Sequence, residues 1–159
     1  MTFLHFQSLT PVRLPRERGP VLAKAWPVTP RILIVDDEKS IRFAIDRYFG
    51  RYGYVVDSAS SSAEARALLH RNDYDLAILD LNLGVTDSSD GLDLAAWIRT
   101  ECSATPVIIL KALSTAEVEL RATSVGVSSL LRKPMRLSVV ADVAFRLIGS
   151  TTDADTATS

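Results

Sequence analysis

Cysteine is almost missing from this chain: Cys102 stands alone among 159 residues. A lone thiol excludes an internal disulfide framework and fits a reducing compartment, here expected to be the cytoplasm. Long apolar runs are missing as well, and no stretch approaches the length needed to span a bilayer. The apolar residues of the N-terminus are scattered and soon interrupted by Pro11, Pro15 and Pro20, so no secretory signal is expected there. Excess charge of one sign is missing too. A formal net charge of -1 gives no global pull towards nucleic acid or a membrane surface.

What is present is a soluble globular composition, 47% apolar and 23% charged, at a length that suits one domain with residues to spare. Five of the seven prolines fall in residues 1–30, with Arg13, Arg16, Arg18 and Lys24 against Glu17. This extension carries +3 and the remainder -4. It shows no sustained period and is expected to be an extended or disordered arm. A leader without function is favoured over a basic docking arm, although Phe3, Leu4, Phe6 and Trp26 have the character to pack on the domain. The domain is expected over 31–149, followed by a frayed polar tail over 150–159.

Within the domain, strand and helix alternate five times. Ile32-Leu33-Ile34-Val35 is an apolar strand run that ends in Asp36-Asp37-Glu38. Ile41, Ala44, Ile45, Tyr48 and Phe49 mark one face of a first helix, which Gly50 and Gly53 are expected to end. Tyr54-Val55-Val56 predicts a second strand. Ser61-Ser62-Ala63-Glu64 then matches a capping box for a second helix with Ala65, Leu68 and Leu69 inward. Leu76 to Leu79 form a third strand that ends in Asp80. Leu92, Ala95, Ala96 and Ile98 suggest a third helix, and Val107 to Leu110 a fourth strand. Ser114-Thr115-Ala116-Glu117 is a second capping box, with that helix stopped near Gly126. Val127 to Leu131 predicts a fifth strand. Leu137, Val140, Ala141, Ala144, Phe145 and Ile148 give a last helix, ending at Gly149. Parallel strands need such crossovers, so the pattern predicts an α/β, doubly wound, five-stranded parallel sheet with helices on both faces.

In such a fold the carboxyl ends of the strands gather on one edge, where ligands bind. The first strand brings Asp36 and Asp37 there, the third Asp80, the fourth Lys111 and the fifth Lys133. Converging carboxylates repel one another unless a cation intervenes. Oxygen ligands suit Mg²⁺, and a carboxylate beside a cation and a lysine can attack a phosphoryl donor. An acidic rim with ordinary ion pairs is the plainer reading, weakened because several charged strand ends coincide.

These residues carry a resemblance. Asp36-Asp37, Asp80 and Lys133-Pro134, at their spacings, resemble the response regulator receiver domains, the CheY-like family, over about residues 31–149. The resemblance implies a flavodoxin-like fold with Asp80 as phosphoacceptor. It implies Mg²⁺ held by Asp36, Asp37, Asp80 and the backbone carbonyl of Asn82, with Lys133 on the phosphoryl group and a cis Lys133-Pro134 bond. It also implies a histidine kinase or histidine phosphotransferase as donor, since neither His5 nor His70 belongs to the pocket. The chain is then expected to be a single-domain phosphorelay protein, not an enzyme beyond accepting its own phosphoryl group. It would act on a downstream protein or relay partner through the face of its fourth helix, fifth strand and fifth helix, which could also make a dimer.

The sequence departs from the family where the phosphorylation signal is usually read. Lys111 stands in place of a Thr or Ser, and Leu130 in place of a Tyr or Phe. Lysine is longer, strongly hydrated and resists burial. One reading brings its ammonium into the acidic pocket; the other lays it outward on its aliphatic stem. Tolerance of two lysines beside three carboxylates favours the first. Leu113, two residues beyond Lys111, and Asn82, two beyond Asp80, occupy places that influence hydrolysis of the acyl phosphate in the family. Asp87 and Asp90 are expected to be solvated loop residues, Trp97 core packing, and His70 and Cys102 bland. The alternative is a pseudo-receiver that binds a partner without phosphorylation. A metal-dependent phosphatase of similar fold is disfavoured because Asn82 stands where those enzymes carry a second Asp.

Overall fold

The computed structural model describes residues 29–84, 90–112 and 115–154. Five strands, β1 (Arg31–Val35), β2 (Val55–Ala59), β3 (Leu76–Asp80), β4 (Val107–Lys111) and β5 (Ser129–Arg132), alternate with helices α1 (Lys39–Gly50), α2 (Ser62–Arg71), α3 (Asp90–Glu101), α4 (Ala116–Val125) and α5 (Leu137–Ala154). Neighbouring strands are all parallel, in the order β2-β1-β3-β4-β5. This is the doubly wound, flavodoxin-like sheet expected from the alternation. The expected arm, apart from its last residues, the loop residue Asp87, and Leu113 lie outside the described residues. No described helix is long and apolar enough to cross a membrane.

Period-two alternation divides the core into two layers. Ile32, Ile34, Leu76, Ile78, Ile108 and Leu110 pack against α1 and α5 through Ile45, Phe49, Val140, Ala144 and Ile148. Leu33, Val35, Ala77, Leu79, Val107 and Ile109 meet α2, α3 and α4 through Ala65, Leu69, Leu92, Leu94, Ala95, Ile98 and Ala122. β1, β3 and β4 are buried on both faces, which explains their unbroken apolar runs. Each fully buried Leu or Ile in them contributes roughly 1.5–3 kcal/mol. Between β1 and β3 the strand order reverses, so connections leave towards opposite faces and open a crevice.

Several element ends differ from the sequence reading, each for a local reason. β2 runs on to Ala59 because β1 supplies a ladder partner for each residue, Asp57 and Ser58 included. α2 is capped by Ser61, which accepts the Glu64 N–H, but the returning Glu64 carboxylate binds the N–H and hydroxyl of Ser60, one residue earlier than a capping box requires. The N-cap of α4 is Thr115, whose hydroxyl accepts the Val118 N–H; Ser114 lies outside the described residues. Gly126, at φ +80°, ends α4, and both its N–H and that of Val127 return to the Ala122 carbonyl. Val127 thus serves the helix cap, and β5 starts only at Ser129. Gly149 has no left-handed turn, so α5 continues past it to Ala154 where a frayed tail was expected. The turn after α1 is made by Gly53, at φ +82°, while Gly50 is the last helical residue.

Candidate functional site

The crevice between β1 and β3 receives Asp36 and Asp80, the residues at or just beyond the ends of two fully buried strands. Asp36 is completely buried and Asp80 is 7% exposed. Asp37, next in the chain, is exposed. Carboxylate oxygens of Asp36, Asp37 and Asp80 all lie within 4.8 Å of one another. A hard cation bonding oxygens at about 2.1 Å places opposite ligands about 4.2 Å apart, so this oxygen-only set fits Mg²⁺.

Lys133 closes the group. Its Nζ lies 3.1 Å from Asp36 Oδ2 and 3.3 Å from Asp80 Oδ1. The residue follows β5, its N–H is bonded to the Lys111 carbonyl, and its peptide bond to Pro134 is cis. Burial pushes the Asp80 carboxyl above the usual carboxylate range, and the charge of Asp36 adds to the rise. Lys133 and a hydrogen bond from the Asn82 backbone N–H pull it back only in part. Burial draws the Lys133 ammonium down, but the Asp36 and Asp80 carboxylates outweigh that, and the net direction is upward. The site is thus rich in negative charge and short of positive charge.

Backbone contacts fix this geometry. The Leu81 N–H donates to the Leu110 carbonyl, and the Gly91 N–H to the Leu81 carbonyl. Gly91 lies so close that a Cβ there would stand 2.2 Å from the Asp80 carbonyl oxygen. Only glycine allows α3 to approach the end of β3 in this way. On the other side, Arg42 Nη1 donates to the carbonyls of Asp36 (2.6 Å) and Asp37 (3.0 Å) and clamps the loop before α1. The Glu38 N–H is bound by Asp36 Oδ1. Sequence reading missed Arg42; a basic residue in the first turn of α1, just after an acidic run, was the available signal.

Lys111 departs from the favoured expectation. Its side chain is buried, but its Nζ pairs at 3.1 Å with Oε1 of Glu119 on α4. The charges acting on Asp80 are those of Asp36 and Lys133. Alternation explains the difference: Leu110 packs on the α1/α5 side and Ile109 on the α2–α4 side, so Lys111 takes the α2–α4 side. Asp36 and Asp80 follow Val35 and Leu79, which face α2–α4, and therefore take the α1/α5 side. Counting parity along the strands would have separated the two lysines; the partner Glu119 is one that sequence reading did not name. Leu130 packs against the α2–α4 side of the core. Trp97 is partly buried, with Arg66 over its ring at 5.3 Å and His70 edge-on at 5.5 Å; Cys102 is partly buried against the same core layer.

The family model for the response regulator receiver domain matches residues 32–144. This chain belongs to that family. Receiver domains are the signalling domains of two-component systems. The alginate biosynthesis transcriptional regulatory protein AlgB of Pseudomonas aeruginosa is 38% identical over 104 residues, which cover 65% of this chain and 22% of that protein. The receiver domain of HemR from Leptospira biflexa, solved non-phosphorylated, has a TM-score of 0.68 at 30% identity, covering 76% of this chain and 94% of that one. A CheY-like receiver domain protein from Methanospirillum hungatei shares the fold at a TM-score of 0.74 and 20% identity, over 79% of this chain and 98% of that one. The receiver domain described here thus spans less than a quarter of AlgB.

Proposed function

We propose that this receiver domain accepts a phosphoryl group on Asp80 from a phosphohistidine of a histidine kinase or histidine phosphotransferase. The observation that carries this reading is the Lys133 ammonium bridging Asp36 and Asp80 beside a three-carboxylate cluster. A carboxylate oxygen of Asp80 attacks phosphorus, the phosphorus–nitrogen bond breaks, and its electron pair leaves with the imidazole. The product is an acyl phosphate. Lys133 meets the charge that develops on the phosphoryl oxygens, and the Asn82 N–H holds the carboxylate in line. Asp36, Asp37 and Asp80, with the Asn82 carbonyl, would hold Mg²⁺, which when bound neutralises charge at the carboxylates and the incoming phosphoryl group.

Signalling through protein contacts, in the cytoplasm, completes the reading. The surface of α4, β5 and α5 offers a docking or dimerisation face, with Leu120 on α4 72% exposed. The pseudo-receiver alternative has against it that all four charged groups of the pocket are in place.

The test is intact-mass labelling of the full chain by a small-molecule phosphodonor with Mg²⁺. One added phosphoryl group on wild type and none on Asp80→Asn is expected. No addition to folded wild type would overturn the proposal in favour of phosphorylation-independent binding.

A further inference from the structure

The Lys111–Glu119 pair lies outside the carboxylate cluster, yet it joins the strand end beside Asp80 to α4. Lys111 follows Leu110, whose Cα is in register with Asp80 on the neighbouring strand. Adjacent strands are about 4.8 Å apart, and a lysine stem reaches roughly 6 Å, so its ammonium can serve either side of the strand end. Its present partner is an unequal one: the Lys111 side chain is 7% exposed and that of Glu119 60%. Ion pairs with so exposed a member are screened by water and contribute little.

α4 is also the most weakly seated helix on its face. Ala122 is its one buried residue among the described helix, against Gly91, Leu92, Leu94, Ala95 and Ile98 in α3. A groove of about 450 Å³ runs beside Lys111 between α4 and β5, lined by Glu119, Ala122, Thr123, Val127 and Leu130 among others. A helix with few buried contacts beside open space belongs to the low-stability end of a fold. Its other ion pair, Arg121 with Asp93 of α3, ties it to the neighbouring helix rather than to the sheet.

We propose that Lys111 and Glu119 form an exchangeable ion pair that reads the state of Asp80, with Glu119 as the positioning residue. The inference rests on Asp80 being the phosphoacceptor. Before phosphorylation, Glu119 holds the Lys111 ammonium on the α4 side and the ammonium tethers the first turn of α4 to β4. A phosphoryl group brings a charge of about -1.5 to -2 to a largely buried position. That charge attracts an ammonium more strongly than one exposed carboxylate does. Lys111 then transfers from Glu119 to the phosphoryl oxygens and the tether on α4 is released. Lysine thereby does by charge exchange what a hydroxyl cannot do here, and it needs no aromatic partner at Leu130.

Amide hydrogen exchange in the first turn of α4, measured on the full chain before and after phosphodonor and Mg²⁺ with labelling followed by intact mass, tests this. Wild type is expected to exchange about threefold faster there once Asp80 is labelled, the scale of one exposed ion pair. Glu119→Gln should exchange fast in both states, Glu119→Asp should restore the response, and Lys111→Met should be labelled without any response. Labelled wild type with unchanged α4 exchange, or labelled Lys111→Met that responds as wild type does, overturns the exchange and leaves the phosphoacceptor reading standing. Folded wild type that cannot be labelled overturns both.

Discussion

The two ends of the sheet treat the same residue type in opposite ways. At the amino end, Asp57 Oδ2 on β2 accepts from Arg31 Nε and from the Tyr74 hydroxyl, each at 2.7 Å. Burial pushes the Asp57 carboxyl up, but those two donors and the arginine charge outweigh it, and the net direction is downward. The same contact, with burial as the larger cause, pushes the Tyr74 hydroxyl up to about 12. At the carboxyl end, Asp80 is more deeply buried, the charge of Asp36 acts on it and it shares one ammonium with Asp36, so it stays above the usual range. One end is internally complete. The other holds an excess of negative charge for which the protein supplies one shared lysine, as expected where a ligand completes the balance.

The largest separation of the two ends should come from Lys133→Met. Removing a preorganised charge at a reacting group typically costs 10²–10³ in rate. The rate of Asp80 labelling should therefore fall about a hundredfold or more, measured by mass against time. A fall below tenfold would place the decisive positive charge elsewhere.

Asp57→Ala attacks the complete end. It strands the Arg31 guanidinium and the Tyr74 hydroxyl together, which should cost about 2 kcal/mol in a denaturant melt. Labelling of Asp80 should be unchanged. Equal damage to labelling would mean the two ends are coupled through the sheet.

The smallest effect is one of sign. Asp57, with a folded-state pKa below the unfolded value of 3.8, contributes stability present above that value and lost as pH falls through the lower folded value. Asp80, with a folded-state pKa above 3.8, contributes stability present below that value and lost as pH rises through the higher folded value. In chelator-treated protein, Asp80→Asn should therefore stabilise by about 1 kcal/mol at neutral pH, the scale of one close repulsion near a protein surface. Stability curves against pH for wild type and Asp80→Asn should converge as pH falls below about 4.

Much of the site was legible because strand ends and charges coincide in sequence. Asp36, Asp37, Asp80 and Lys133 each follow an apolar run, and topology alone gathers them. The chain order of elements was readable for the same reason, since buried parallel strands are unbroken runs. What was not legible depends on side-chain direction and on competition for backbone groups. Lys111 looked like a pocket residue by position along its strand, but alternation turns it to α4. The start of β5 was misjudged because the N–H of Val127 goes to the cap of α4, and the length of β2 because Asp57 is held by partners 26 and 17 residues away. Gly91 and Arg42 act through backbone contacts, which leave little trace in residue type.

The most direct test of the central claim is the effect of Mg²⁺ on stability, followed by thermal melts of wild type, Asp80→Asn and Asp57→Ala at neutral pH. A ligand that binds only the folded state at ten times its dissociation constant adds about 1.4 kcal/mol. Mg²⁺ should stabilise wild type and Asp57→Ala by about that amount and Asp80→Asn by much less. Equal stabilisation of all three, or none in wild type, would contradict the account of the carboxyl end as a charge cluster completed by a cation.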